Sequence, residues 1–331
     1  MPSGLVPRLL IFVALALAVG AALVLYADGE ELAEALEGFT WWVIPPVILL
    51  VLANYALRFA RWQYYLRVVR IDDGLPLLWS GLIFLSGLAM VITPAKAGEW
   101  IKSYFLRELN NTPISRSAPL VLMERLTDAW SVALLALCGL VLFSPSYWPL
   151  FAILAIAMAG LWAVVRYRPL AHRLLRFAQR LPLLSRTSQQ MDAMYDTIYI
   201  LLAPSRLAVA LALGFVGWGC EAGALYLVIY GLTEMGDLEV LVKSAFIMST
   251  ASLAGALFIV PGGLGVSETG ITGLGRALLD LSRSSAAGTT LLIRLFTLWF
   301  GVAVGLIALL IVARRLGGRT VSAELDGTVH R

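Results

Sequence analysis

VITPAKAGEWIK (Val91–Lys102) follows an almost uninterrupted apolar run and breaks it in three ways. Pro94 removes a backbone donor, Gly98 frees the chain, and Lys96, Glu99 and Lys102 bring charge. In a chain built to sit in hydrocarbon, such a cluster is either a surface loop or part of a polar site within the membrane. Which of the two it is decides the fold.

The surrounding sequence is strongly apolar. The 331 residues are 60% hydrophobic and 14% charged, with a mean hydropathy of +0.85. Soluble domains carry about 25% charged residues, so this profile is that of an integral membrane protein. Leu9–Ala27 is uncharged and long enough to cross a bilayer, and no small-x-small cleavage pattern precedes Asp28; it reads as a retained helix. The net charge of +4 raises nucleic acid as a partner, but the bases cluster in loops between apolar segments, where topology accounts for them. No nucleic acid is expected.

Cys138 and Cys220 lie inside apolar spans, and His172 and His330 are the only histidines. A disulfide framework, a Cys or His metal site and a Ser-His-Asp triad have almost no raw material. No Walker motif is present, so ATP is not the driver. Neither a cofactor nor a metal is expected.

Apolar segments run over 9–27, 41–57, 77–93, 117–143, 147–165, 207–230, 245–260, 262–279 and 286–313. The loop DGEELAEALEG (Asp28–Gly38) is acidic, as is TEMGDLE (Thr233–Glu239). Bases gather at Arg58, Arg61, Arg67 and Arg70, across Arg166–Arg186, and in RRLGGR (Arg314–Arg319). Positive-inside logic puts these stretches and both termini in the cytoplasm of an inner-membrane protein. Residues 77–116 then leave and return on the cytoplasmic side, and 243–285 on the outer side. Their Pro and Gly breaks favour re-entrant hairpins, which are tolerated only against protein or a watery cavity.

The basic connection reads as an amphipathic surface helix. Leu170, Leu174, Leu175 and Phe177 face lipid, while Arg173, Arg176 and Arg180 reach headgroups; a plain topology anchor is the alternative. Arg58 and Arg61 read as snorkelling anchors.

An internal repeat answers the opening question. TPAKAGEW (Thr93–Trp100) and VPGGLGVSE (Val260–Glu268) share Pro-x-x-x-Gly ahead of a Glu. At nearly the same separation downstream, ERLTDAW (Glu124–Trp130) and IRLFTLW (Ile293–Trp299) share Arg-Leu-x-x-x-Trp. The expected fold is an all-α integral membrane protein: a polytopic helical bundle of two inverted-topology repeats, each with a broken, re-entrant hairpin. A single membrane domain over 1–331 divides into an N-terminal span (9–27), repeat 1 (41–143), a basic cytoplasmic connection (166–206), repeat 2 (207–313) and a polar cytoplasmic tail (314–331). Pro94 and Gly98 break the first hairpin; Pro261, Gly262, Gly263 and Gly265 break the second.

Charges inside the spans mark the site. Arg125 lies at a helical rise of ~12 Å below the cytoplasmic edge, and Arg294 at a comparable depth from the outer edge. Unpaired charge at such depth is costly. Asp128 follows Arg125 by three residues and Glu124 precedes Asp128 by four, so Arg125 has an acid on its own helix face. Arg294 has none; its partner is Glu268, Glu221 or a substrate phosphate. Lys96, Glu99, Glu124, Arg125, Asp128, Glu268 and Arg294 are the candidate substrate-binding residues. A purely structural Arg125–Asp128 pair, and an interfacial helix carrying Lys96, Glu99 and Lys102, are the competing readings.

At TPAKAGE, ERLTD, PGGLGVSE and IRLFTLWFG, in that order and spacing, the sequence resembles the membrane-domain family of lysyl-phosphatidylglycerol synthases and their flippase-like relatives. The resemblance covers nearly the whole chain. It implies a lipid-handling core with inverted halves and re-entrant hairpins, which in larger members moves an aminoacylated phospholipid beside a soluble aminoacyltransferase domain. No such domain follows Ala313 in this sequence, so the resemblance implies lipid translocation without lysyl transfer.

The expected function is therefore non-enzymatic: flippase-like movement of an anionic or phosphate-bearing lipid through a midplane polar site, with the lipid, and lipid-modifying enzymes, as partners. The alternatives are an intramembrane enzyme or accessory subunit for lipid-linked sugar or phosphate processing, with Glu99 and Glu268 as acid and base, and a secondary small-ion transporter.

Overall fold

The computed structural model describes residues 5–93, 98–143, 146, 148–179, 188–258 and 260–329. Among these, every regular element is helical: α1 (Leu5–Ala27), α2 (Gly29–Glu37), α3 (Ile44–Val68), α4 (Leu77–Ala89), α5 (Ile101–Asn110), α6 (Ile114–Phe143), α7 (Trp148–Arg166), α8 (Arg168–Gln179), α9 (Ser188–Leu201), α10 (Pro204–Thr233), α11 (Leu238–Leu257), α12 (Val266–Leu279), α13 (Arg283–Arg294) and α14 (Phe300–Val329). Six helical stretches, 41–68, 114–143, 148–166, 204–233, 238–257 and 283–316, are long and apolar enough to cross a membrane. The pair α1 and α2, bent by 92°, makes a seventh if it forms one broken span. The protein is a multi-pass membrane protein, as its composition requires.

Helix ends follow local chemistry. Pro45 and Pro46 fall in the first turn of α3 and Pro204 opens α10, where a missing N–H forfeits no helical bond. Asp237 accepts from the Val240 amide at 2.8 Å at the head of α11, and Ser282 from the Ser285 amide at 3.0 Å at the head of α13. Asn111, Glu234 and Asp280, each left-handed, end α5, α10 and α12.

Three segments differ from the apolar runs. The run 41–57 stops short of the helix, because α3 continues to Val68 on a face whose Trp62, Tyr65 and Leu66 are fully buried. The run 262–279 is a tight turn (Pro261–Gly263) followed by α12, whose 14 residues rise ~21 Å against a hydrocarbon core of about 30 Å. Beyond Ala313, α14 runs on to Val329 as helix.

Packing then crosses the sequence. α3 lies along α10, α4 along α14, and α11 along α6. One apolar core joins Val47 and Val51 of α3 to Leu225 and Val228 of α10, Ile247 of α11 and Ile293 of α13; a second joins Trp62 and Leu66 to Ile83, Leu106, Leu120 and Met123. The short turns Met90–Ile92, after α4, and Pro261–Gly263, after α11, touch each other. α7 buries no side chain. The basic connection forms α8 and α9, which pack on each other, with Arg166 and Arg168 stacked 4.0 and 4.4 Å from the Tyr199 ring centre. Leu170, Arg173 and Arg176 are exposed, whereas Arg180 and the side chains of Leu174, Leu175 and Phe177 lie outside the described residues.

Candidate functional site

The site is built on α6. Helical spacing sets Glu124 and Asp128 on one face with Arg125 beside Asp128, and α3 and α5 pack against that face. Asp128 gathers three guanidiniums: Arg61 Nη2 donates to Oδ1 at 2.5 Å, while Arg125 Nη2 and Arg58 Nη2 lie 3.2 and 3.6 Å from Oδ2. Arg125 also reaches Glu99 at 3.1 Å. Lys102 pairs with Glu124, sits 3.8 Å from Glu99, and places its ammonium 4.9 Å from the Trp62 ring centre. Four cations and three carboxylates thus form one continuous buried network. Glu99, Lys102, Glu124 and Asp128 are each at most 5% exposed.

Around the first break, the Gly98 amide donates to Thr93 Oγ1 at 2.7 Å. A Cβ on Gly98 would stand 2.8 Å from Met90 Sδ and 2.9 Å from Thr93 Cγ2, so a side chain here displaces both neighbours. Pro94 and Lys96 lie outside the described residues.

The second break is simpler. Gly262, Gly263 and Gly265 all have positive φ (62°, 67° and 83°). Glu268 does two jobs there: Oε2 accepts from the Gly265 amide at 2.7 Å at the start of α12, and Oε1 accepts from Arg294 Nε at 2.5 Å. Arg294 Nη2 then donates to the Gly262 carbonyl at 2.5 Å. Of the partners the sequence allows for Arg294, Glu268 is the one it takes. Directly after Arg294 the helix widens into a π turn (Leu295–Trp299), and the Tyr55 hydroxyl of α3 donates to its Thr297 carbonyl at 3.0 Å.

Both regions face one cavity of about 360 Å³. Arg58, Glu99, Arg125 and Asp128 line it from the first half, and Glu221, Gly262, Gly263 and Arg294 from the second. Glu124 and Glu268 stand behind this layer as counter-ions. Arg58 Nε, Arg125 Nε and Trp218 Nε1, on lining residues, are buried donors with no hydrogen-bond partner. Such donors are costly unless a ligand or water takes them up.

One expectation needs correction. Arg58 and Arg61 are not snorkelling anchors. Arg61 is 0% exposed and bonded to Asp128, and Arg58 lines the cavity. The physical reason is that α3 continues past residue 57 with its basic face packed on α6 rather than reaching headgroups. Lys102, quoted with the opening cluster, also belongs to the network. One signal points to them: Arg58, Arg61 and Tyr65 recur at i, i+3 and i+7, a polar stripe on a helix whose neighbours are apolar.

A family model described as lysylphosphatidylglycerol synthase TM region matches residues 13–305. The chain belongs to that family. All four shared motifs and both halves of the cavity fall within the matched residues. No curated protein matches the chain.

Proposed function

We propose that this family member carries a phosphate-bearing lipid between leaflets, with the headgroup in the cavity and the tails in the bilayer. The observation that carries the reading is the buried, partnerless donors Arg58 Nε and Arg125 Nε on the cavity wall. A guanidinium fork matches phosphate oxygens bidentately. In the described first-half network Arg58, Arg61, Lys102 and Arg125 stand against Glu99, Glu124 and Asp128, and Glu221 and Arg294 face the same cavity from the second half. Arg125 and Arg58 are therefore the phosphate ligands, and Arg294 holds the second break. Glu99 and Glu268 are engaged with cations and act as counter-ions, so translocation includes no covalent step.

The same order of span, broken pair and span occurs in α3–α6 and in α10–α14, and the last helix of each half lies along the first broken arm of the other. We read these as inverted-topology repeats with re-entrant hairpins, in an inner membrane with both termini cytoplasmic. Cysteines placed at Glu34 and Asp237 label from outside and one at Arg176 only from the cytoplasm; outer labelling at 176 overturns this topology.

The function is tested by scrambling of fluorescent phosphatidylglycerol in proteoliposomes. Wild type transfers the lipid, and Arg125→Leu, still folded, loses most of the transfer. An inactive wild type, or full transfer by folded Arg125→Leu, removes the reading.

A further inference from the structure

α1 lies outside both halves and packs mainly on α13. From Ile11 to Tyr26 its one buried side chain is Phe12, 2% exposed, while Ile11, Leu17 and Leu25 are more than half exposed. The Phe12 ring lies 5.5 Å from that of Trp299 and clusters with Ile92, Leu264, Leu298 and Val302. It therefore packs against the ends of both chain breaks at once. Gly262 makes the room: with φ +62° and no side chain, it lets the ring approach to where a Cβ would be 3.0 Å away.

The wall beside Phe12 is thin. Val91, Val260 and Leu298, which belong to or pack on the same apolar cluster, also line the polar cavity. One apolar layer thus separates the headgroup site from α1. A lipid whose phosphate enters that cavity must keep its tails in apolar surroundings throughout. This wall is apolar and continuous with the cavity, and α1 seats on it through Phe12, with Ala16 and Val19 packed beside the ring.

The other end of α1 is held firmly. Arg276 donates to the Tyr26 hydroxyl at 2.6 Å, and Ala27 is buried with Leu32 and Ala287. Between this anchor and Phe12 the helix rises ~22 Å, with little buried in between. Among the described side chains Phe12 is the one that α1 buries in this wall, so its ring is the contact that must move for the seam to open.

We propose that the seam between α1 and residues 295–302 is the channel for the acyl tails of the transported lipid, gated by Phe12. The ring withdraws from its seat over Gly262 to admit the tails and returns to seal the cavity from the bilayer. The proposal rests on the lipid-transport reading.

Its test uses the full chain in a Cys138→Ser/Cys220→Ser background carrying Phe12→Cys and Val302→Cys, bridged by a short cleavable thiol reagent. Scrambling of fluorescent phosphatidylglycerol is measured unbridged, bridged and after cleavage. The expected result is transfer that is lost on bridging and restored on cleavage, with Phe12→Ala alone transferring several-fold faster than wild type. Transfer unaffected by the bridge, failure of the two thiols to bridge, or a wild-type rate in Phe12→Ala overturns the gate and leaves lipid transport standing. Absence of transfer in both wild type and the unbridged protein removes the transport reading, and the channel with it.

Discussion

The two halves carry the same Arg-Leu-x-x-x-Trp motif and use its arginine differently. In the first half Asp128 is surrounded by Arg58, Arg61 and Arg125, and Arg125 keeps a buried Nε without a partner. In the second half Arg294 spends Nε on Glu268 and Nη2 on the Gly262 carbonyl, fastening the break to its helix. The difference teaches that a shared motif fixes where a charge sits, while its neighbours decide whether it has donors to spare.

The largest expected effect is at the hub of the first half. Asp128→Leu leaves three guanidiniums without their common counter-charge, and deleting one partner of a buried pair typically costs ~3–5 kcal/mol. Thermal unfolding in detergent should show a loss at or beyond that range. Removing Arg125 together with Asp128 should not rescue it, because Arg58 and Arg61 remain. A near-wild-type melting temperature for Asp128→Leu would break the comparison at its root.

Next comes the charge-neutral change in the second half. Arg294→Leu/Glu268→Leu removes a self-contained pair, so only the Gly265 cap and the bond to Gly262 are lost, on the order of 1–2 kcal/mol. It should be clearly more stable than Glu268→Leu alone. If the double variant is no better, Arg294 is coupled to more than Glu268, and the two halves hold their arginines alike.

Arg125→Leu should cost less again, within ~1 kcal/mol. Asp128 keeps Arg61, Glu99 keeps Lys102, and three cations remain against three carboxylates. Its side chain is also the most open of the network at 25%. A severe loss of stability would make Arg125 structural and move the phosphate-binding role elsewhere. The smallest effect is the control, Lys243→Ala. Its partner Glu239 is 65% exposed, and such surface pairs contribute ~0–1 kcal/mol.

Much of this site was legible because it is local. Glu124, Arg125 and Asp128 share a turn of one helix, so spacing alone paired Arg125 with Asp128, and glycine and proline marked both breaks. The partners that define the network are remote. Arg61 meets Asp128 across 67 positions and Lys102 meets Glu124 across 22, contacts that no helical period encodes. Phe12 was equally silent: one aromatic in a long apolar run looks like any lipid-facing residue until the fold seats it over Gly262.

Composition, the spacing of apolar runs and the paired motifs determined a multi-pass helical protein with two matching sets of breaks and charges, because burial in lipid obliges backbone polar groups to be satisfied within helices. Only the tertiary structure decided which charges meet. Crossing α3 over α6 adds Arg58 and Arg61 to the Arg125 already beside Asp128, and the touching turns after α4 and α11 place Val91, Gly262 and Gly263 on the cavity wall. Those outcomes depend on helix packing between distant segments, where a buried charge takes whichever opposite charge the fold brings within reach.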